Sequence, residues 1–270
     1  MVSTQVWTFA PLAGAGVEVD AGLRAILRRE AVDDGVGAPV RGVQARLTPL
    51  IARWAGASLV DIFPSGSFAK GTGNRSGTDI DLFLSLREET DWSLGEIYDG
   101  LDRMLRAAGF AVRRQNVSLN VKVNGCSVDL VPGKRQNRLT GDHSLYLRRR
   151  DTWIKTNVKK HVQWVGRTGR RAEMRLMKLW RDQRGLDWPS FYVELGTARA
   201  LEEQILPGTL SGNLRRVLEF ARDRVERARL VDPANGNNVV SDTLTGEEKR
   251  LIARAAAAAL KETDWRRMVR

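Results

Sequence analysis

The stretch Phe63-Pro64-Ser65-Gly66-Ser67-Phe68-Ala69-Lys70-Gly71-Thr72-Gly73-Asn74-Arg75-Ser76-Gly77-Thr78-Asp79-Ile80-Asp81-Leu82-Phe83 decides the reading of this chain. From Thr78 to Leu86 the residues alternate, with Asp79, Asp81, Phe83 and Ser85 on one side and Ile80, Leu82, Leu84 and Leu86 on the other. That period of two predicts a strand with one apolar face, and it sets Asp79 and Asp81 on the same polar face. Asp129, in Ser127-Val128-Asp129-Leu130-Val131, lies in a second predicted strand flanked by apolar residues. Three carboxylates converging on one face repel unless a divalent cation sits between them. A hard oxygen set of that kind suits Mg²⁺ or Mn²⁺ bridged to phosphates. Two such ions can activate an attacking hydroxyl and stabilise a leaving pyrophosphate. Gly66 lets backbone approach a phosphate closely, and the Ser67 hydroxyl adds a donor.

Outward from this stretch, helices are expected at 19–30, after a Gly/Ala-rich run at 11–16, and at 40–55, where Val43, Leu47, Leu50, Ile51 and Trp54 recur at helical spacing before Gly56. A strand at 58–63 leads into a turn at 64–67. A helix at 94–108 ends at Gly109. Strands follow at 110–115, 119–123 and 127–131, the last two joined by Asn124-Gly125, a hairpin signal, and Pro132-Gly133 closes the run. Beyond it the pattern is helical, at 171–184, 191–204, 213–229 and 247–262, the last opened by a Thr245/Glu248 capping box. The expected class is α+β: a palm lobe with a mixed β-sheet and N-terminal helices over residues 1–134, a helical lobe with a basic surface over 135–270, and the site in the cleft between them.

The chain has 270 residues, 42% hydrophobic and 28% charged, as ordinary globular proteins have. No apolar run is long enough to span a membrane and the N-terminus has no leader pattern, so a cytoplasmic protein without a membrane partner is expected. One cysteine, Cys126, and two histidines, His143 and His161, argue against a disulfide framework and zinc chemistry; Cys126 is expected to be a small buried residue. The net charge is +12, and residues 134–184 hold sixteen Lys/Arg against four Asp/Glu, so the remainder of the chain is neutral. A field concentrated there attracts polyanions. Arg148, Arg149, Arg150, Lys159, Lys160, Arg170 and Arg171, interleaved with Trp153 and Trp164, are the candidates for a nucleic-acid contact.

The pattern Gly66-Ser67, spacer, Asp79-Ile80-Asp81 and a later lone Asp129 resembles the DNA-polymerase-β-like nucleotidyltransferases. The resemblance implies that Asp79, Asp81 and Asp129 are catalytic and hold two Mg²⁺ or Mn²⁺ ions, Asp129 contacting the ion that activates the ribose hydroxyl and serving as general base. Within Leu176-Met177-Lys178-Leu179-Trp180 a lysine interrupts an apolar run, a costly burial unless an anion meets it. Trp188-Pro189-Ser190-Phe191-Tyr192-Val193-Glu194-Leu195 looks like a segment of the 2′-5′-oligoadenylate synthases, cyclic GMP-AMP synthase and their bacterial relatives, the CD-NTases. By that resemblance Lys178 and Ser190 hold a triphosphate and Phe191 stacks on a base; core packing is the alternative for Phe191. Val231-Asp232-Pro233 through Asn237-Asn238-Val239 is similar to a segment of the same group and reads as an Asx/Pro turn that braces the fold. The likeness runs from about residue 40 to residue 260.

The expected function is synthesis of a linear or cyclic oligonucleotide second messenger from NTPs, ATP among them, with a role in antiviral defence implied by the resemblance. The alternative is tailing of a tRNA-like 3′ end, as in the CCA-adding enzymes. Nucleotidyl transfer to a cationic small molecule calls for an acidic pocket, which the basic segment disfavours. A nucleic-acid-binding protein on a degenerate scaffold is expected to have lost an acid or the Gly-Ser pair, and all are present.

Overall fold

The protein is described from a computed structural model covering residues 13–270 except 34, 36, 37, 78, 203–207 and 263, with residues 13–16 as backbone only. Residues 11 and 12 of the Gly/Ala-rich run, Thr78 at the head of the expected strand, and positions 203–204 of the helix expected at 191–204 lie outside the described residues.

Two helices, α1 (Ala13–Arg29) and α2 (Pro39–Ala55), precede the sheet. Strand β1 (Leu59–Pro64) leads directly into a short helix, α3 (Gly66–Lys70), where the sequence suggested only a turn. Strand β2 (Ile80–Leu86) carries the alternating residues. Then come α4 (Leu94–Ala107), β3 (Arg113–Arg114), β4 (Leu119–Val123) and β5 (Cys126–Arg135). The strand expected at 110–115 is reduced to two residues at the sheet edge. Asn124 and Gly125 take φ of 51° and 80°, the left-handed pair that a two-residue hairpin turn needs. Cys126 opens β5 beside this turn and is half-buried, not buried.

Pro132-Gly133 does not end β5. Pro132 falls between the last pairing with β4, at Leu130, and the first with β6 (His143–Leu147), at Gly133, so its missing N–H interrupts neither ladder. Gly133 is required there, because a Cβ would lie 2.5 Å from the Phe83 ring. Strands β6 and β7 (Thr152–Thr156) then extend the sheet as a hairpin that local patterning did not reveal. The order β1-β2-β5-β4-β3 is mixed, with β2 and β5 parallel and the other neighbours antiparallel.

Helices α2 and α4 cover one face of the sheet, burying Ile80, Leu82, Leu84, Leu119, Val121, Val128 and Leu130 with Val43, Leu47, Ile51, Leu101 and Leu105. A second core joins α1 to α6 (Arg171–Asp182), α7 (Ser190–Leu201), α8 (Leu210–Asp223) and α9 (Gly246–Ala259), around Trp180, Trp188 and Tyr192. Helix α5 (Val158–Thr168), also unexpected, packs on α3. The Thr245/Glu248 capping box forms as read. A small hairpin, β8 (Val231–Asp232) with β9 (Asn235–Val239), occupies the expected Asx/Pro segment, where Asp232 Oδ1 accepts from the Ala234 N–H at 2.7 Å. Among the described residues no helix is long and apolar enough to cross a membrane.

Candidate active site

The sheet face opposite α2 and α4 is polar because the odd-numbered positions of β2 and β5 point there. Asp81 and Asp129 are register partners across the parallel β2–β5 ladder, so their carboxylates stand side by side. Asp79 lies just ahead of β2, exposed. Its charge still reaches both neighbours, raising the pKa of each. Asp81 is pushed up to about 6, first by burial, then by the Asp129 carboxylate; Lys70 opposes the shift. Burial also raises Asp129, against the hydrogen bonds it accepts from Asn120. Among the described residues no three acidic, His or Cys side chains close into a metal-holding cluster. Asp81 and Asp129 are brought together, and Asp79 stands outside the pair.

The donor set nevertheless fits a hard divalent cation. Asn120 Nδ2 at 2.7 Å and Gln115 Nε2 at 3.1 Å both donate to Asp129 Oδ1. Ser118 Oγ donates to Gln115 Oε1 at 2.8 Å, which turns the Gln115 amide nitrogen toward Asp129. Oδ2 of Asp129 takes no hydrogen bond among the described residues, and the register partner of Asp129 is a residue of like charge, Asp81. A pair of open, desolvated carboxylates of this kind has the hard oxygen chemistry that suits Mg²⁺ or Mn²⁺.

Gly66 is forced by its surroundings. Its φ is +55°, and a Cβ would lie 1.8 Å from Asp81 Oδ2. The backbone of α3 therefore sits directly over the β2 carboxylate, and the Ser67 N–H donates to Asp81. The Ser65 N–H donates to the Asp81 carbonyl at 2.8 Å. The Ser67 hydroxyl has no partner among the described residues and is half-buried beside the acids.

Lys178 answers the question its sequence posed, with a different anion. It is 3% exposed, and its ammonium donates to Glu194 Oε1 at 2.6 Å and to Thr72 Oγ1 at 3.0 Å. Glu194, fully buried on α7, also pairs with Lys70 at the end of α3 and accepts from Thr72 Oγ1 at 2.6 Å. Burial pulls Lys178 down to about 8, while the two ammoniums hold Glu194 ionised below the usual carboxylate range against its burial. Lys70, Thr72 and Glu194 were missed as site residues; the only sequence signal was a lysine and a glutamate each set in apolar helix. Lys70 links the two halves of the site: its charge reaches Asp81, and its Nζ lies 4.9 Å from the centre of the Phe191 ring.

Phe191 is half-buried, edged by His161 at 4.8 Å and Trp164 at 6.5 Å between centroids. His161 is held in turn by Asp232 Oδ1 at 2.8 Å, so the β8–β9 hairpin braces the ring. Ser190, at the start of α7, accepts from Arg181 Nη1 at 3.0 Å.

The basic candidates do not form one surface. Arg148, Arg149 and Arg150 are exposed at the tip of the β6–β7 hairpin. Lys159 and Lys160 lie past its other end, Lys160 paired with Asp142 at 3.4 Å. Arg170 pairs with Glu173 at 3.5 Å, and Arg171 donates to the Lys70 carbonyl at 2.9 Å, fastening the glycine-rich loop to α6. Trp153 is exposed, but Trp164 packs against the helical core.

No family model matches the sequence, and no curated protein matches it. Solved structures do. The CdnC of E. coli MS115-1, solved with ATP, superposes with a TM-score of 0.71 at 22% identity, over 90% of this chain and 89% of that one. The cyclic dinucleotide synthase CdnE of Elizabethkingia meningoseptica, solved with GTP and Apcpp, gives 0.67 at 15% identity, over 90% and 99%. The CD-NTase CdnG of Bradyrhizobium diazoefficiens, in complex with GTP, gives 0.67 at 15%, over 90% of each chain. At these identities the likeness is one of architecture, and the chain has the α+β nucleotidyltransferase fold of the bacterial CD-NTases.

Proposed function

We propose that this chain is a divalent-metal-dependent nucleotidyltransferase that joins NTPs, ATP among them, into a short linear or cyclic oligonucleotide without a template. The observation that carries this reading is the Asp81–Asp129 pair, in register on parallel strands, with the Gly66–Ser67 backbone pressed over it. The nucleotide-bound neighbours of the same fold support it.

Asp79, Asp81 and Asp129 would hold the cations, which supply Lewis acidity at the α-phosphate and lower the pKa of the attacking hydroxyl. The remaining steps belong to the chain. The acceptor ribose oxygen forms a bond to the α-phosphorus, the α–β P–O bond breaks, and pyrophosphate leaves. Asp129 takes the hydroxyl proton. Its raised affinity for a proton suits that task, and the amides of Asn120 and Gln115 hold its Oδ1 still so that Oδ2 faces the acceptor. The Ser67 hydroxyl and the net positive Lys70–Glu194–Lys178 cluster meet the triphosphate, with Ser190 and Phe191 at the same side of the cleft.

The test is incubation of purified protein with the four labelled NTPs and Mg²⁺ or Mn²⁺, with and without a tRNA-like hairpin, followed by phosphatase and size separation. Small phosphatase-resistant products, lost in Asp81→Asn and in Asp129→Asn, are expected. Label found only on the added RNA makes the protein a tailing enzyme. Absence of incorporation with either metal, with or without RNA, overturns the reading.

A further inference from the structure

Of the basic residues interleaved with tryptophan in the sequence, Arg170 meets Trp164 at a concave surface. A cavity of about 550 Å³ lies on the helical lobe, between α5, α7 and the segment that enters β8. Trp164, Leu195, Ala198 and Leu230 give it apolar walls, and Arg170, Arg199, Arg229 and Glu202 line it with charge. None of its lining residues belongs to the proposed catalytic site. On α7, Phe191, Leu195 and Ala198 recur at helical spacing, so the face that carries Phe191 continues into this cavity. Ala198 is two turns from Phe191, a rise of roughly 10 Å. Trp164 stands against both: it lines the cavity and meets the Phe191 ring edge-on at 6.5 Å between centroids.

The charge in the cavity is positive. Three guanidiniums line it against one carboxylate, Glu202, which pairs with Arg199. Arg170 is shared with the buried Glu173 at 3.5 Å. Arg229 is exposed and makes no ion pair among the described residues. An excess of one to two positive charges remains, which answers the charge of about −1.5 to −2 on a phosphate monoester at neutral pH. With a single acid in its lining, the cavity has no carboxylate cluster with which to hold a divalent cation, so an anion binding here does not call for one.

We infer that this cavity is a second nucleotide site, for a nucleoside monophosphate, with the base against Trp164 and the phosphate on Arg229 and Arg170. A tryptophan ring stacks on any base, and guanidinium forks match phosphate oxygens two at a time. The volume is that of a small-ligand site, and a concave surface of this size holds one nucleotide and not a strand of them. The site stands apart from the proposed catalysis, since it uses neither the acids nor the Lys70–Glu194–Lys178 cluster.

The experiment is equilibrium dialysis of the full chain against labelled AMP in EDTA, where the acids of the cleft have no cation with which to hold a phosphate. One AMP per chain is expected, bound at least tenfold more tightly than adenosine or ribose 5-phosphate. Arg229→Ala weakens AMP by fivefold or more and leaves adenosine unchanged. Ala198→Trp sets a ring into the cavity from a half-buried position and removes binding. Arg250→Ala, the same loss of charge on exposed α9, leaves AMP binding as it was, and so does Asp81→Asn/Asp129→Asn. Absence of AMP binding in EDTA overturns the site. Binding that survives both Arg229→Ala and Ala198→Trp, or that Asp81→Asn/Asp129→Asn removes, places the nucleotide elsewhere and overturns it as well. Adenosine or ribose 5-phosphate held as tightly as AMP reduces the cavity to an apolar or an anion pocket. A single-stranded oligoadenylate that loses tenfold in Ala198→Trp, while AMP does not bind, makes the surface an RNA contact instead. Dialysis reads binding without turnover, so an inert wild type that binds AMP in this way counts against the enzymatic reading alone, and an active one that does not counts against this site alone.

Discussion

At the scale of single residues, Gly66 and Asp81 constrain each other. Gly66→Ala puts a methyl group 1.8 Å from the Asp81 carboxylate at a φ of +55°. The left-handed conformation alone costs about 1–2 kcal/mol, and Asp81 or α3 must move besides. NTP incorporation is expected to fall by at least a hundredfold, with a lower melting temperature; an active, equally stable variant would contradict the close approach. Asp81 itself is held at the expense of stability. Its folded carboxyl keeps a proton up to about pH 6, against 3.8 ordinarily, so the folded state binds more protons than the unfolded one between those values. The contribution of Asp81 alone therefore becomes more favourable as pH falls through that window and carries its full penalty above it. Asp81→Asn should be more stable than wild type at pH 7.5, by on the order of 2 kcal/mol, and the difference should vanish toward pH 4. Urea unfolding at the two pH values measures it. Added Mg²⁺ should raise the wild-type midpoint at pH 7.5, less so at pH 5.5, and leave Asp81→Asn unmoved.

At the scale of elements, one buried glutamate joins α3, α6 and α7. Glu194→Ala leaves the Lys70 and Lys178 ammoniums facing each other without a counter-charge in a buried cluster. Removing one partner from such a group costs about 3–5 kcal/mol. Lys178→Met in the same chain should recover part of that loss, a coupling that a double-mutant cycle reads directly; strictly additive losses would mean the cluster does not act as a unit. This cluster also marks the limit of what sequence patterning discloses. The carboxylate strand, the Asn124-Gly125 turn and the amphipathic helices were legible because each is a local period or a short motif. The buried cost of Lys178 was legible too, but Glu194 and Lys70 are 124 residues apart in sequence, and no local signal states which charge meets which. Strands β6 and β7 were hidden for a related reason. They exist because β5 runs on past Pro132-Gly133 to offer an edge, and Pro-Gly ordinarily marks a stop. The dense positive charge of residues 148–160 obscured the alternation of His143, Leu145 and Leu147 that the pairing uses.

At the scale of the whole molecule, the sheet and the helical core are stitched across the cleft at several points, and α1 serves both. Leu23 and Ile26 of α1 pack in the helical core, and Asp20 accepts from the Leu210 and Ser211 N–H groups, both at 2.9 Å, at the start of α8. Past the other end of α1, the Glu30 carbonyl accepts from the Arg75 N–H at 3.0 Å and its Oε2 from the Ser76 N–H at 2.9 Å, on the loop that leads to Asp79. Arg175 of α6 draws these together, donating to the Leu27 and Glu30 carbonyls at 2.9 and 2.7 Å and to Asn74 Oδ1 at 3.1 Å. With Lys70, Thr72 and Arg171 crossing the same gap, neither core can open without breaking charge-assisted bonds to the other, each worth about 1.5–3 kcal/mol. The chain is therefore expected to unfold in one transition, with coincident midpoints by far-UV dichroism and tryptophan fluorescence and equal calorimetric and van't Hoff enthalpies. Arg175→Ala removes three of these bonds at once and leaves both cores packed. It should lower the midpoint and bring the van't Hoff enthalpy below the calorimetric one as the two cores begin to separate. Two resolved transitions in the wild type would show that the cleft is a loose contact, and a loop positioned by Arg175 could not then hold Asp79 near its partners.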